Sequence, residues 1–388
     1  MTLIDFLDSN IKDTLILVKS LRPDRLILVA DEAEEQEKAD TPARHMSNAA
    51  ETIAKQEGFA LNVEIVEVNP RDAEGIYEKV REAVGSEEKA YVNLAGENDL
   101  MTACAYNLCT KENAAVPVCV DIREGIVRDA GTLGQIAEVK HITLGDYMNA
   151  VGAKELENSR TEPEESEYDA VCEMAETLFK NTSAWNHLCT YIGNHYSKDT
   201  NHVRIPQDLG GIKEKELLSA ANKQLSEFCR LGFLTKKDND VYEFANDRVK
   251  SWMVVFGTWL EMYIFIKIKP YVDEARVGVV IDWSAGDNYD TKDNELDVVV
   301  VRNSRPIVIS CKMRMPTKED IYEVGYITNC LSGRSGRSAI ATSEIVEHKE
   351  SWKVGLYPRF VKMNVGLLET IELRKGEEQA RKCFEELF

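Results

Sequence analysis

Residues 294–314 read NELDVVVVRNSRPIVISCKMR. Two apolar, β-branched runs flank a short polar turn. An acid, Asp297, stands near the start of the first run, and Ser310-Cys311-Lys312 closes the second. Strand alternation puts Asp297, Val299 and Val301 on one side of their strand, and Ser310 and Lys312 on one side of the next. A hairpin turning at Asn303 to Arg305 is expected to set Asp297 across from Lys312. Phosphodiester hydrolysis uses that combination. A carboxylate holds Mg²⁺ or Mn²⁺, and an ammonium positions or activates water and offsets phosphate charge. An exposed hairpin with a surface ion pair would carry the same residues. Two further acids bear on the choice: Glu261 in GTWLEMYIF, on a helix before the strands, and Glu323 in KEDIYEVGYI, on a helix after them. Either alone fits a solvated helix face. With Asp297 they are predicted to form an acidic cluster for one or two metal ions.

A second stretch, YVNLAGENDLMTAC (91–104), reads as a strand, a tight turn at Gly96 and a helix start. Backbone amides at a helix N-terminus bind phosphate. Asn98 and Asp99 suit helix capping equally well.

The elements around these stretches fall into three parts. Residues 1 to about 145 alternate strand runs (25–31, 61–70, 89–96, 115–122) with helical spacing (43–58, 72–85, 98–113). That alternation predicts a parallel, doubly wound sheet, with ligands beyond the carboxyl ends of its strands. Residues 157–170, acidic and interrupted by Pro163, read as a linker. Residues 169 to about 250 are mostly helical and end in an apolar-turn-apolar pattern around Asp238-Asn239-Asp240, resembling a winged helix. No basic recognition helix accompanies it, so a spacer or dimer surface is expected rather than a duplex reader. From 247 onward, one long helix is predicted to precede strands near 275–283, 295–302 and 305–311, a helix at 317–331 and a strand at 338–342. The expected fold is α/β: a Rossmann-like N-terminal domain (1–150), a winged-helix-like segment (165–246) and a restriction-endonuclease-like C-terminal domain (247–388).

Composition narrows the function. The 388 residues carry a formal charge of −20, which argues against nonspecific coating of DNA but suits a metal-binding acidic pocket. Nine cysteines include no CxxC pair. Neither a zinc knuckle nor a disulfide framework is expected, and reduced thiols in a cytoplasm are. The N-terminal stretch lacks a basic region and is not expected to be a secretory signal. No apolar run approaches the roughly 18 residues of a membrane helix. No GxGxxG follows a strand, which weighs against a dinucleotide cofactor.

Over residues 247 to about 388, the glutamate-bearing helix, the Asp strand, the x-x-Lys strand and the following helix resemble the PD-(D/E)xK nuclease core. The usual acid two residues before the lysine is replaced by Ser310. Two readings stay open: the metal carboxylate has moved to Glu323, or Ser310 marks an inactivated enzyme. Residues 91–104 resemble the ligand turn of CRISPR-associated Rossmann-fold domains that sense cyclic oligoadenylates. Asn93, Gly96 and Met101 match; Ala95, Glu97, Asn98 and Asp99 differ, and the motif's lysine is absent. The resemblance assigns ligand binding to Asp8, Ser9 and Asn10 in the first turn and to Asn93, Ala95, Gly96, Glu97, Asn98 and Met101 in the second. The order of the three parts resembles the Can2/Card1-type CRISPR ancillary nucleases. That implies a homodimer holding cyclic tetra-adenylate and cutting DNA or RNA with Mn²⁺ or Mg²⁺. A non-catalytic regulator acting through the winged helix and a sequence-specific restriction enzyme are the alternatives.

Overall fold

In a computed structural model the chain is described apart from residues 9, 36–40, 86–89, 96–98, 112–114, 158–161, 239, 284–292 and 347–351. The N-terminal strands are β1 (Thr2–Phe6), β2 (Arg25–Asp31), β3 (Asn62–Val68), β4 (Ala90–Asn93), β5 (Val116–Asp121), β6 (Ile126–Asp129) and β7 (Gln135–Glu138). Their order is β3-β2-β1-β4-β5-β6-β7. The first five are parallel, as the alternation of strand and helix predicts. The antiparallel edge of β6 and β7 was not expected. Its strands are four residues each, too short to leave a periodic signal. β1 is buried along its whole length, and both faces are apolar apart from Thr2 and Asp5.

A short strand, β8 (Lys154–Glu155), leaves this region and pairs with the C-terminal sheet. The middle of the chain packs three helices, Tyr168–Phe179, Thr182–His195 and Lys215–Arg230, against β9 (His202–Arg204), β10 (Leu234–Asp238) and β11 (Val241–Phe244). The helix followed by the β10–β11 hairpin is the winged-helix pattern read from the sequence.

The C-terminal strands are β12 (Glu274–Asp282), β13 (Asn294–Arg302), β14 (Arg305–Lys312), β15 (Arg337–Thr342) and β16 (Val365–Glu369). The sheet order is β16-β15-β14-β13-β12-β8. β12, β13 and β14 form an antiparallel meander; β14, β15 and β16 are parallel. Val298 to Val301 are all buried, because helices cover both faces. The single helix expected from 247 is two: Asp247–Met253 and Thr258–Ile268, bent by 112°. The break falls just before Gly257, where a Cβ would stand 2.9 Å from Glu261 Oε1. Among the described residues no single helix is long and apolar enough to cross a membrane.

The β13–β14 turn differs from the expected three-residue loop. Asn303 and Ser304 alone form it, with φ of 49° and 60°. Two central residues in the left-handed region define a type I′ hairpin, whose twist matches that of the strands. Arg302 then pairs with Arg305, and Val298 with Ile309. Ser304 is fully buried. Its carbonyl accepts from the Tyr147 hydroxyl at 2.7 Å, and its Oγ lies 3.2 Å from both the Ile142 amide and His141 Nδ1. Asp273 Oδ2 accepts from the Asn303 amide at 2.6 Å, and Glu274 Oε2 from the Leu144 amide at 2.8 Å. The hairpin tip is thus plugged into the segment 141–147 that follows the N-terminal sheet. Tyr147→Phe deletes a buried hydrogen bond and leaves the Ser304 carbonyl unpaired. It should cost about 1 kcal/mol in chemical denaturation; unchanged stability would show that this bond does not hold the turn.

Candidate functional site

The two-residue turn fixes which residues meet at the far end of the hairpin. Continuing the register one step beyond Val298 and Ile309 sets Asp297 against Ser310, not Lys312. Lys312 is the diagonal neighbour on the same face. Ser310 Oγ donates to Asp297 Oδ2 at 3.2 Å, the Cys311 amide donates to the same oxygen at 2.7 Å, and Lys312 Nζ stands 3.9 Å away. Burial pushes the Asp297 carboxyl above its usual range; the Lys312 ammonium and the Cys311 amide pull against that, and Glu295, one position back on the same face, adds to it. The sequence reading missed Glu295, although the i, i+2 spacing of NELD carries the signal.

Asp297, Glu261 and Glu323 do not converge as one three-carboxylate site among the described residues. Glu261 is buried on the helix Thr258–Ile268, beside the helix start at Gly257. Glu323 is exposed on the helix Lys318–Ser332 and acts on Arg314. Arg314 holds Asp320 with both guanidinium nitrogens, at 2.7 and 2.8 Å. Burial alone would raise the Asp320 carboxyl; the Arg314 fork and the Thr317 amide bring it below its ordinary value. Among the described residues no three His, Cys, Asp or Glu side chains converge as a metal site. The expected cluster of Asp297, Glu261 and Glu323 is therefore not preformed, because one acid lies in the core and another on the solvent side of its helix.

A groove of about 650 Å³ opens beyond the carboxyl ends of β1 and β2. This is the switch point of the sheet, where β1 is flanked by β2 and β4. Asp8 and Met101 line it, as do Asp31, His45, Asn329 and Cys330. The last two come from the C-terminal half, on the same helix as Glu323. The described lining has no lysine or arginine. Asn10 sits at the N-cap of the helix Ile11–Leu21, its amide donating to Asp8 Oδ1 at 2.7 Å. Asn93 is buried, not open to the groove. It donates to Asp5 Oδ1 at 2.6 Å and accepts from the Ala95 amide at 3.1 Å, shaping the turn after β4. Ser9, Gly96, Glu97 and Asn98 lie outside the described residues.

A family profile described as "Card1-like, endonuclease domain" matches residues 249–352, which hold Asp297, Ser310, Lys312 and Glu323. No curated protein matches the sequence. Among solved structures, protein VC1899 from Vibrio cholerae superposes with a TM-score of 0.77 at 14% identity, covering 100% of this chain and 98% of its own. Can2 from Sulfobacillus thermosulfidooxidans, solved with cyclic tetra-adenylate, gives 0.69 at 16% identity, covering 98% of each chain. A type III CRISPR defence DNA nuclease activated by cyclic oligoadenylate gives 0.50 at 14% identity, covering 88% of this chain and 45% of its own. The fold is that of the Can2-like proteins along the whole chain, and the C-terminal profile is the Card1-like one. The resemblance to Can2/Card1-type proteins read from the sequence is borne out in the fold and in the C-terminal endonuclease profile.

Asp5 gives this subsection its prediction. Fully buried beneath the groove, its carboxyl is pushed up to about 6 by desolvation, against hydrogen bonds from Thr14 and Asn93. A folded value above the unfolded one means that the contribution of Asp5 to native stability is fully present below about pH 4 and is lost as pH rises through about 6. Asp5→Asn keeps the shape and removes the buried charge. It should gain on the order of 2 kcal/mol at pH 7 and flatten the stability profile between pH 4 and 7. An unchanged profile would assign the slope elsewhere.

Proposed function

We propose that the chain is a CRISPR ancillary nuclease, switched on by cyclic tetra-adenylate, that cuts DNA or RNA in type III antiviral defence. The observation that carries this is the juxtaposition of Asp297, Ser310 and Lys312 on one face, inside the segment matched by the endonuclease profile. The Rossmann-like part (1–150) is the sensor in this reading, the winged-helix-like part (165–246) a spacer, and residues 247–388 the nuclease.

In the reaction, the Lys312 ammonium offsets charge at the scissile phosphate and orients the attacking water. Ser310 and the Cys311 amide hold the Asp297 carboxylate, so that Ser310 acts as a positioning residue. Mg²⁺ commonly takes one or two carboxylates and completes its shell with substrate phosphate oxygens and water. Asp297 fits an ion of that kind, Mg²⁺ or Mn²⁺; a cage of protein carboxylates does not fit the described residues. When bound, the ion would neutralise charge developing on the phosphate. Glu323 is the second carboxylate in this reading.

The activator would occupy the switch-point groove, against Asp8, Asn10, Met101 and the turn that Asn93 shapes. Can2, which has this fold, was solved with cyclic tetra-adenylate. Because Asn329 and Cys330 share a helix with Glu323, a ligand in the groove touches the element next to the nuclease residues. A homodimer is part of the reading. Tyr322 and Tyr326, 49% and 69% exposed one turn apart, continue into Tyr357 and Val361 on the helix Tyr357–Met363 packed beside them. Such a patch would suit the face between two copies.

Lys312→Ala should lower cleavage by roughly two to three powers of ten while leaving activator binding intact. Near-normal turnover in a folded preparation would remove Lys312 from the mechanism. Glu323→Ala and Ser310→Ala separate the readings of the serine: the first should abolish metal-dependent cleavage and the second should weaken it mildly. The reverse order would make the hydroxyl, not the displaced acid, the second metal-side group.

A further inference from the structure

At the other end of the hairpin, on the sheet face opposite Asp297, lies a second pocket, of about 330 Å³. Its described lining brings together Lys12, Arg123, Arg302, Arg305 and Arg337, with no carboxylate side chain. The chain as a whole carries a formal charge of −20, so five converging cations run against its composition. They come from separate elements. Lys12 stands in the first turn of the helix Ile11–Leu21, Arg123 follows β5, Arg302 and Arg305 flank the type I′ turn, and Arg337 begins β15. The pocket thus closes between the N-terminal and C-terminal parts of the fold.

These cations are held in place and only in part neutralised. Among the described residues no carboxylate side chain lies within ion-pair distance of any of the four arginines, and Lys12 pairs only with its neighbour Asp13, at 3.3 Å. The Arg302 guanidinium lies over the Phe388 ring at 4.0 Å. Arg305 donates at 3.4 Å to the main-chain oxygen of Phe388, which, as the last residue of the sequence, carries a carboxylate there. Burial lowers the proton affinity of Arg305, and the charge of Arg337 lowers it further. Half-buried arginines facing one another lose Coulomb energy that a bound anion would restore, and guanidinium forks match phosphate oxygens in geometry as well as charge. The switch-point groove, by contrast, has no described lysine or arginine.

We propose that this pocket binds a phosphate-bearing anion, gripped by Arg305 and Arg337 and completed by Lys12 and Arg123, so that the anion ties the sensor half to the nuclease hairpin. The phosphate has three possible sources: a free nucleotide or polyphosphate, the backbone of a nucleic-acid substrate, or the cyclic activator. The test is calorimetric titration of the full-length protein at physiological ionic strength with four probes: inorganic pyrophosphate, ATP, a short single-stranded DNA and cyclic tetra-adenylate. It is repeated on Arg305→Gln, Arg337→Gln and the exposed-site variant Arg123→Gln.

At least one probe should bind, and loss of Arg305 or Arg337 should weaken it by about tenfold or more, the usual scale for a charged hydrogen bond. The probe that loses affinity identifies the source. Unliganded Arg337→Gln should melt no lower than the parent, because a repulsion is removed, and that melt also verifies folding. Arg123→Gln keeps the test open should a deeper variant misfold. Absence of binding by all four probes, or binding that none of the three substitutions weakens, overturns the proposal. Failure of cyclic tetra-adenylate alone to bind counts against the activator reading and leaves a pyrophosphate or ATP result standing.

Discussion

The Asn303-Ser304 turn is the constraint on which both ends of the nuclease hairpin depend. Two left-handed residues pair Arg302 with Arg305, and that register brings Ser310 and the Cys311 amide onto Asp297, with Lys312 one diagonal step away. A third residue in the loop would slip one strand by one position and turn its side chains to the other face. The same two residues plug the tip into the segment 141–147 through Tyr147, Ile142 and His141. Register and docking are therefore set by one local conformation. Its left-handed serine is offset by hydrogen bonds that only the docked state supplies.

Charge is distributed along the hairpin in opposite senses. At the Asp297 end a half-buried carboxylate is stabilised by one ammonium and one amide, and Glu295 works against it. At the turn end four arginines gather with no carboxylate side chain among the described lining residues. The strands between are apolar on both faces, from Val298 to Val301 and from Pro306 to Ile309. Such a rod resists bending, because its side chains are packed on either side. A shift of the segment 141–147 would therefore move the hairpin as a unit.

Much of this was legible in the sequence, for identifiable reasons. The parallel order of β1 to β5 follows from strands alternating with helices, and the β12–β14 meander from β-branched runs broken by polar turns. Asp297 and Lys312 were legible because an acid and a lysine interrupt otherwise apolar strands. Their register was not: Asn303-Ser304-Arg305 reads equally as a two- or three-residue loop until the serine is seen to take a positive φ. Glu261 and Glu323 lie on helices flanking the strands, as expected, but helix phase, which their short stretches do not specify, turns one inward and the other outward. The break before Gly257 was hidden because VVFG continues the apolar run on both sides. Asn93 had the right type for a ligand contact, yet its partner Asp5 is 88 residues away in sequence, beyond any local pattern.

The central claim is that an activator in the N-terminal groove controls hydrolysis at the Asp297–Lys312 face. The most direct measurement is the initial rate of cleavage of unstructured DNA and RNA, with Mn²⁺ or Mg²⁺, across a titration of cyclic tetra-adenylate. The account predicts negligible cleavage without activator and a rate that rises and saturates with it, on at least one of the two substrates. Cleavage that is the same with and without activator, or no cleavage at activator concentrations shown by calorimetry to saturate the protein, would contradict it.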